Sequence, residues 1–309
     1  MLEQIPKITI AIPYYKDVNL LARAVRSVLA QSSTQWQLLI CDDASPEPAN
    51  EKIDAIMNGQ PYRYLRNERN LGMVANWNRC LSESATNFVT LLHADDMLAT
   101  SYVSENLSAF KRYPTALGIF SNANIIGPTD TPIFSFPDFV KKFLIPSTKN
   151  DIELHGDMGL AALLKGNFIM CPTVCYNKTK MTGQYFDPRW KQVQDLDFFA
   201  RMLLQGETFI GIQARTYQYR RHCNNATAVQ TANNSRFHEE FALYAELATM
   251  TQVKNWNFAR KTAEKALIIK LNVGFNLAKD MLAFRMQDAW TRTQLIFTKN
   301  SKPNRKYSS

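Results

Sequence analysis

The sequence predicts an α/β fold in which a mostly parallel central sheet is flanked by helices, with a helical extension at the C-terminal end. Three observations carry this. Residues 7–43 read as strand, helix, strand, a βαβ unit that implies parallel neighbours joined by a right-handed crossover. A short apolar run, Phe88–Leu92, suits a strand buried on both faces and runs straight into His93-Ala94-Asp95-Asp96. From Arg236 to about Thr298 the pattern is nearly all helical.

Taken in order, Lys7–Ile12 is β-branched and reads as a first strand, ended by Pro13-Tyr14-Tyr15. Asp17 or Asn19 can cap a helix whose apolar positions include Leu21, Val25 and Leu29. Gln37–Cys41 is a second strand, followed by Asp42-Asp43-Ala44-Ser45. Helix is expected over Glu51–Met57, strand over Tyr62–Leu65, helix from about Met73 to Glu83, helix over Ser101–Tyr113 and strand near Leu117–Phe120. Residues 127–158 carry Pro128, Pro132, Pro137 and Pro146 in an aromatic-rich stretch, which suits a long loop. Gly166–Tyr176 looks like strand, Gln194 opens a helix that ends at Gly206, and Thr208–Ile212 is a further strand. Ser301–Ser309 reads as a disordered basic tail.

At 309 residues the chain can bury a sizeable core, and 46% hydrophobic content excludes wholesale disorder. Net charge is +9, yet residues 251–309 hold 12 basic and 3 acidic residues, so the first 250 are neutral. The basic character therefore belongs to the C-terminal part. The five cysteines, Cys41, Cys80, Cys171, Cys175 and Cys223, form no CxxC pair, which argues for a reducing cytosolic compartment over a disulfide framework or zinc site. No signal peptide and no run of 18 uncharged apolar residues is seen, so any meeting with a membrane is from the side.

Chemistry concentrates at a few points. Asp95 and Asp96 at a strand's C-terminal end would repel unless a cation lay beside them, and oxygen ligands suit Mg²⁺ or Mn²⁺; an ordinary acidic turn is the alternative. Arg66-Asn67-Glu68-Arg69-Asn70-Leu71-Gly72 opens a helix, where arginine forks and free backbone N–H groups suit phosphate, or merely form a surface turn. Asp195 stands in the first turn of its helix, where a carboxylate also suits the helix dipole. The turn after the first strand has no glycine, against a dinucleotide fingerprint or a P-loop.

In this order the pieces I-T-I-A-I-P-Y-Y-K-D, L-L-I-C-D-D-A-S, R-N-E-R-N-L-G-M-V-A-N-W-N, V-T-L-L-H-A-D-D-M-L, Q-D-L-D-F-F-A-R-M-L-L-Q-G and Y-R-R-H resemble the family 2 glycosyltransferases of the Rossmann-like GT-A fold, of the bacterial surface-polysaccharide type, over roughly residues 7–225. The resemblance implies a glycosyltransferase domain over 1–230, with a nucleotide-binding half 1–125 and an acceptor half 126–230, and a basic helical extension over 231–309. It implies that Pro13, Tyr14, Tyr15, Asp42 and Asp43 hold base and ribose, that Arg69 and Asn70 contact the nucleotide, and that Asp95 lies near the ribose. Asp96, with Asp95 and His222, would hold a divalent metal ion, Mn²⁺ or Mg²⁺. Asp195 would be the catalytic base, with Asp197 as fallback, and a single base implies inversion.

Two departures stand out: Gln194 replaces the usual Glu, and D-D-A-S replaces D-D-G-S, tolerable if Ala44 keeps φ below zero. The implied partners are a nucleotide-diphosphate sugar donor and a glycan or lipid-linked glycan acceptor, with peripheral association of the basic helices with anionic membrane on the cytoplasmic face. A nucleotidyltransferase would need a glycine-rich, lysine-bearing loop that is missing here, and a nucleic-acid binder is disfavoured because the body is neutral. A scaffold that has lost catalysis is hinted at by Gln194 alone.

Overall fold

The computed structural model describes residues 7–135, 150–181, 183, 185–221 and 234–297. Contacts divide the chain into two compact units. The first comprises 1–154, 168–188 and 207–222, the second 155–167, 189–206 and 223–309.

The first unit is built on a sheet of nine strands. Strand β1 (Ile8–Tyr14) runs through Pro13 and not only up to it, and is followed by α1 (Val18–Leu29), β2 (Trp36–Asp42), α2 (Asn50–Met57) and β3 (Arg63–Arg66). Then come α3 (Met73–Glu83), β4 (Phe88–Leu91), β5 (Met97–Leu98), α4 (Tyr102–Arg112), β6 (Gly118–Ile126), β7 (Ile152–Leu154), β8 (Cys175–Asn177) and β9 (Phe209–Arg220). The order is β3-β2-β1-β4-β8-β6-β9-β5, with β7 also beside β9. Pairing is parallel across β3-β2-β1-β4 and between β6 and β9, and antiparallel elsewhere.

Strand alternation sorts the core. Ile8, Ile10, Ile12, Leu38 and Ile40 face one side, where Leu21, Val25 and Val28 of α1, Ile53 of α2 and Tyr102, Val103 and Phe110 of α4 meet them. Full burial of each such aliphatic side chain contributes roughly 1.5–3 kcal/mol. Asp17 is the residue that caps α1, accepting from Leu20 N at 3.0 Å. Helix α3 is fastened to β2 by buried Asn76, whose Nδ2 donates to Cys41 O at 2.9 Å.

Three expectations change. Gly166–Tyr176 is not one strand: Pro172 lies in a short 3₁₀ turn, Cys171–Thr173, and only Cys175–Asn177 joins the sheet, because proline cannot donate to a ladder. Strands β6 and β9 run well past Phe120 and Ile212, through polar residues that hid them, and their mutual register shifts around Asn122. The 127–158 stretch holds strand β7, antiparallel to β9; Pro137 and Pro146 lie outside the described residues.

The second unit is helical: α5 (Gly156–Leu164), α6 (Gln194–Leu204), α7 (Ser235–Val253), α8 (Asn257–Lys265), α9 (Leu267–Leu282) and α10 (Met286–Phe297). The C-terminal helices thus share a unit with α5 and α6, from within the first 230 residues. Buried Tyr244 of α7 donates to Leu164 O at 2.7 Å, and Asp157 of α5 accepts from Ala259 N at 2.7 Å, satisfying the start of α8. The tail 301–309 lies outside the described residues.

Candidate functional site

The parallel strands β2, β1 and β4 lie side by side and end together, so their C-terminal edges bring Asp42-Asp43, Pro13-Tyr14-Tyr15 and His93-Ala94-Asp95-Asp96 to one rim. In an open α/β sheet this is the ligand-binding edge. An open cavity of about 220 Å³ lies there, lined by Pro13, Tyr14, Tyr15, Asp43, Asn70 and Trp77 among others. Tyr15 is 46% exposed, whereas Tyr14 is buried.

The two acids after β2 part company. Asp42 is wholly buried, and its carboxylate accepts from Ser45 N at 2.8 Å, Tyr64 Oη at 2.7 Å and Arg66 Nη1 at 2.5 Å. Burial raises its pKa, but the hydrogen bonds from Ser45 and Tyr64 and the Arg66 charge outweigh this and leave it below the usual carboxylate value. Asp43 faces the cavity and organises the next loop: it accepts from Asn67 Nδ2 at 2.6 Å, Leu71 N at 2.8 Å and Gly72 N at 2.9 Å. Asn70 donates to Asp43 O at 3.1 Å, and Arg69 is exposed on the same turn. Between these acids and Ser45, Ala44 takes φ +55, contrary to the expectation that it stays below zero. The tight turn is set by the Asp42–Ser45 bond, and holding an alanine Cβ there costs about 1–2 kcal/mol.

The acid pair after β4 is equally well held. Asp96 is 2% exposed and accepts from Tyr217 Oη at 2.9 Å and Arg220 N at 2.7 Å, both from the far end of β9. Burial first, then the Asp95 charge, push its carboxyl well above the ordinary range despite those donors. A cation bound beside it would favour the ionised form. His93, Asp95 and Asp96 offer ligand atoms within 4.8 Å of one another, and His93 Nε2 is buried with no hydrogen-bond partner among the described residues. Burial lowers the His93 pKa, so the imidazole is neutral, and its 4.0 Å approach to Asp96 is a polar contact more than an ion pair. Two carboxylates and a neutral imidazole fit a divalent ion such as Mn²⁺.

His93 escaped the sequence reasoning, although it stands in the same V-T-L-L-H-A-D-D stretch. Its ring stacks on Trp77 at 4.9 Å between centroids, and Trp77 also lines the cavity, so one indole joins the two parts of the rim. Arg220 was missed as well. Wholly buried, it donates from Nε to Asp95 O and from Nη1 to Gly127 O, each at 2.7 Å, and its Nη2 lies 2.6 Å from Asp130, which Arg23 also approaches at 3.1 Å. The basic pair in Y-R-R-H was the available signal. His222, expected as a ligand, lies outside the described residues.

Asp195 belongs to the second unit, in the first turn of α6. Val193 occupies the N-cap, and the partly buried Asp195 carboxylate accepts from Leu196 N at 2.7 Å, with Asn167 Nδ2 at 3.5 Å. Asp197 is buried and paired with Arg201 at 2.8 Å. Gln194 is buried, and its Oε1 has no hydrogen-bond partner among the described residues.

The family model described as "Glycosyl transferase family 2" matches residues 9–164. An uncharacterised protein of Mycobacterium tuberculosis is 33% identical over 93 residues, so the chain spans only 29% of that relative. The putative colanic acid biosynthesis glycosyl transferase WcaA of Escherichia coli is 23% identical over 283 residues, 86% of this chain and 94% of that protein. Among solved structures, Staphylococcus aureus TarS 1-349 in complex with UDP-GlcNAc superposes with TM-score 0.61 at 14% identity, covering 84% of this chain and 70% of that one. The mannosyltransferase PcManGT of Pyrobaculum calidifontis, in complex with GDP-Man and Mn²⁺, gives TM-score 0.57 at 12% identity, covering 95% and 86%. The fold is therefore that of the GT-A enzymes, with a C-terminal helical stretch.

Proposed function

The chain belongs to glycosyl transferase family 2, and from that premise we propose that it is a metal-dependent, inverting glycosyltransferase. It moves a sugar from a nucleotide donor to a hydroxyl of a glycan or lipid-linked glycan in cell-surface polysaccharide synthesis, working in the cytoplasm at the inner face of the membrane. The observation that carries this reading is the joining, through Trp77, of an aromatic and acidic cavity to the His93-Asp95-Asp96 cluster. WcaA supports the biosynthetic setting, and the nucleotide-sugar complexes of TarS and PcManGT support the donor class.

Each residue has a role. Tyr15 is exposed enough to stack on a base, and Asp43 presents a carboxylate to the cavity that can accept from base or ribose. Asp42 acts from behind, fixing Arg66 and the Ala44 turn. Pro13 and Tyr14 shape the wall, Asn70 holds the loop, and exposed Arg69 is available to the diphosphate. Asp96, Asp95 and His93 would hold the metal, with His222 added on its motif alone. Mn²⁺ or Mg²⁺, when bound, neutralises charge on the departing diphosphate. Asp195 takes the proton from the acceptor hydroxyl, since Asp197 is committed to Arg201.

Incubation with nucleotide sugars, Mn²⁺ and acceptor-bearing bacterial membranes should release a free nucleoside diphosphate from one donor class. A well-folded chain that releases none from any donor would overturn the reading.

A further inference from the structure

We infer that the outward face of α9, continued over the α9–α10 corner, is a docking surface for an anionic lipid bilayer. Helix α9 is apolar on two opposite sides. Ile269 and Val273 point inward and are buried, as is Asp280. Leu267, Leu271, Phe275 and Leu282 are 61%, 59%, 48% and 82% exposed, and at about 100° per residue they fall within about 80° of one another. An ordinary surface helix puts polar residues on that side. The stripe runs on into Phe284, Met286 and Trp290, which are 86%, 65% and 65% exposed.

This corner is held firmly. Asp280 pairs with Arg285 at 2.6 Å and with buried Arg292 at 2.9 Å, while Arg285 N donates to Asp280 O at 2.8 Å. Phe284 sits at φ +55, a left-handed conformation rare for a bulky residue. The ring, 86% exposed, carries the apolar stripe of α9 round the corner.

Charge chooses the occupant. Lys270 and Lys279 stand on the same helix, with Lys279 Nζ 4.5 Å over the Phe275 ring, and Lys261 and Lys265 are exposed on α8. Of the acids in α8–α10, Asp280 is buried in its pairs and Glu264 lies 3.6 Å from Arg260, which leaves Asp288. A second copy would bring the same positive rim against this one, and like charges repel. Phosphate headgroups supply the opposite charge, and acyl chains the apolar contact that Leu267, Leu271 and Phe275 require. With 16 residues α9 is too short to span a bilayer, and no helix among the described residues is long and apolar enough to do so, so the face lies in the interface plane.

The surface would bring the chain to where a lipid-linked acceptor resides, and to that extent rests on the proposed reaction. The test floats the full chain with vesicles of phosphatidylcholine alone or with about 30% phosphatidylglycerol, while nucleotide affinity is measured separately. Binding at least about tenfold stronger to the anionic vesicles is expected, weakened by salt and lost in Leu271→Glu/Phe275→Glu, with nucleotide affinity unchanged in that variant. Lys270→Glu/Lys279→Glu should lose most of the preference for anionic lipid. Absence of vesicle binding by the wild type, or equal binding by the Leu271/Phe275 variant, overturns the inference. So does a dimer that the variant splits, which would assign the face to a second copy, or salt-sensitive DNA binding without vesicle binding. Loss of nucleotide binding with vesicle binding intact would instead count against the donor site alone.

Discussion

Asp195→Asn should lower the rate of sugar transfer by about 10²–10⁴-fold while leaving nucleotide affinity within about twofold, because a positioned general base contributes that much to proton removal. Asparagine keeps the shape of the side chain and an oxygen to accept from Leu196 N, so the first turn of α6 is preserved. What it removes is the capacity to take a proton. A kcat effect without a binding effect is the signature of an interaction made in the transition state. Asp197→Asn provides the contrast: it breaks the pair with Arg201 in a buried position, so its effect should be on melting temperature more than on kcat per folded molecule. Turnover by Asp195→Asn within about threefold of wild type would remove Asp195 from the mechanism and return the search to the other carboxylates of the chain.

Arg220→Met should lower the melting temperature by about 4–8 °C. The guanidinium satisfies the part-buried carbonyl of Asp95 and the buried carbonyl of Gly127 and pairs with Asp130, and a stranded buried acceptor costs about 1–3 kcal/mol, less where it is part-buried. Asp130 is 37% exposed and retains Arg23, so its share is discounted. A loss of about 3 kcal/mol in a chain of this size corresponds to that shift. Methionine fills similar volume, so the change reports the polar network more than a cavity. Because the same side chain steadies the Asp95-Asp96 loop, metal-dependent nucleotide binding should weaken by about tenfold even below the melting point. Arg220→Lys keeps the charge but not the fork, and should fall between the two. A shift under about 2 °C, with binding unchanged, would mean that the loop is held by Tyr217 and backbone alone.

The parts of the molecule written in periodic apolar residues were legible from sequence. The βαβ start, α3 and the β4 strand running into the acid pair follow directly from runs such as Ile8–Ile12 and Phe88–Leu92. Strand β9 was seen only to Ile212, because Gln213, Arg215 and Gln218 interrupt the apolar pattern where the strand leaves β7 and pairs with β5. That hidden half supplies Tyr217 and Arg220, the residues that hold Asp96.

The same limit applied to the site. Side chains acting through short motifs, such as Asp95 and Asp96, could be named, but which of Asp42 and Asp43 faces the cavity depends on Tyr64 and Arg66 arriving from β3. His93 depended on an indole from α3. Ala44 could not be placed from sequence either, since its left-handed φ is imposed by the bond between Asp42 and Ser45.

Isothermal calorimetry of UDP, GDP, dTDP and CDP, each with and without Mn²⁺ or Mg²⁺, on wild type and Asp96→Asn is the most direct test of the donor site. The amide of the variant keeps an oxygen for the Arg220 N–H, and burial already disfavours charge there, so the variant should fold. The account predicts that one nucleoside diphosphate binds only with metal, and at least about tenfold more weakly to Asp96→Asn. Binding by no nucleotide, or binding indifferent to both metal and Asp96→Asn, would contradict it.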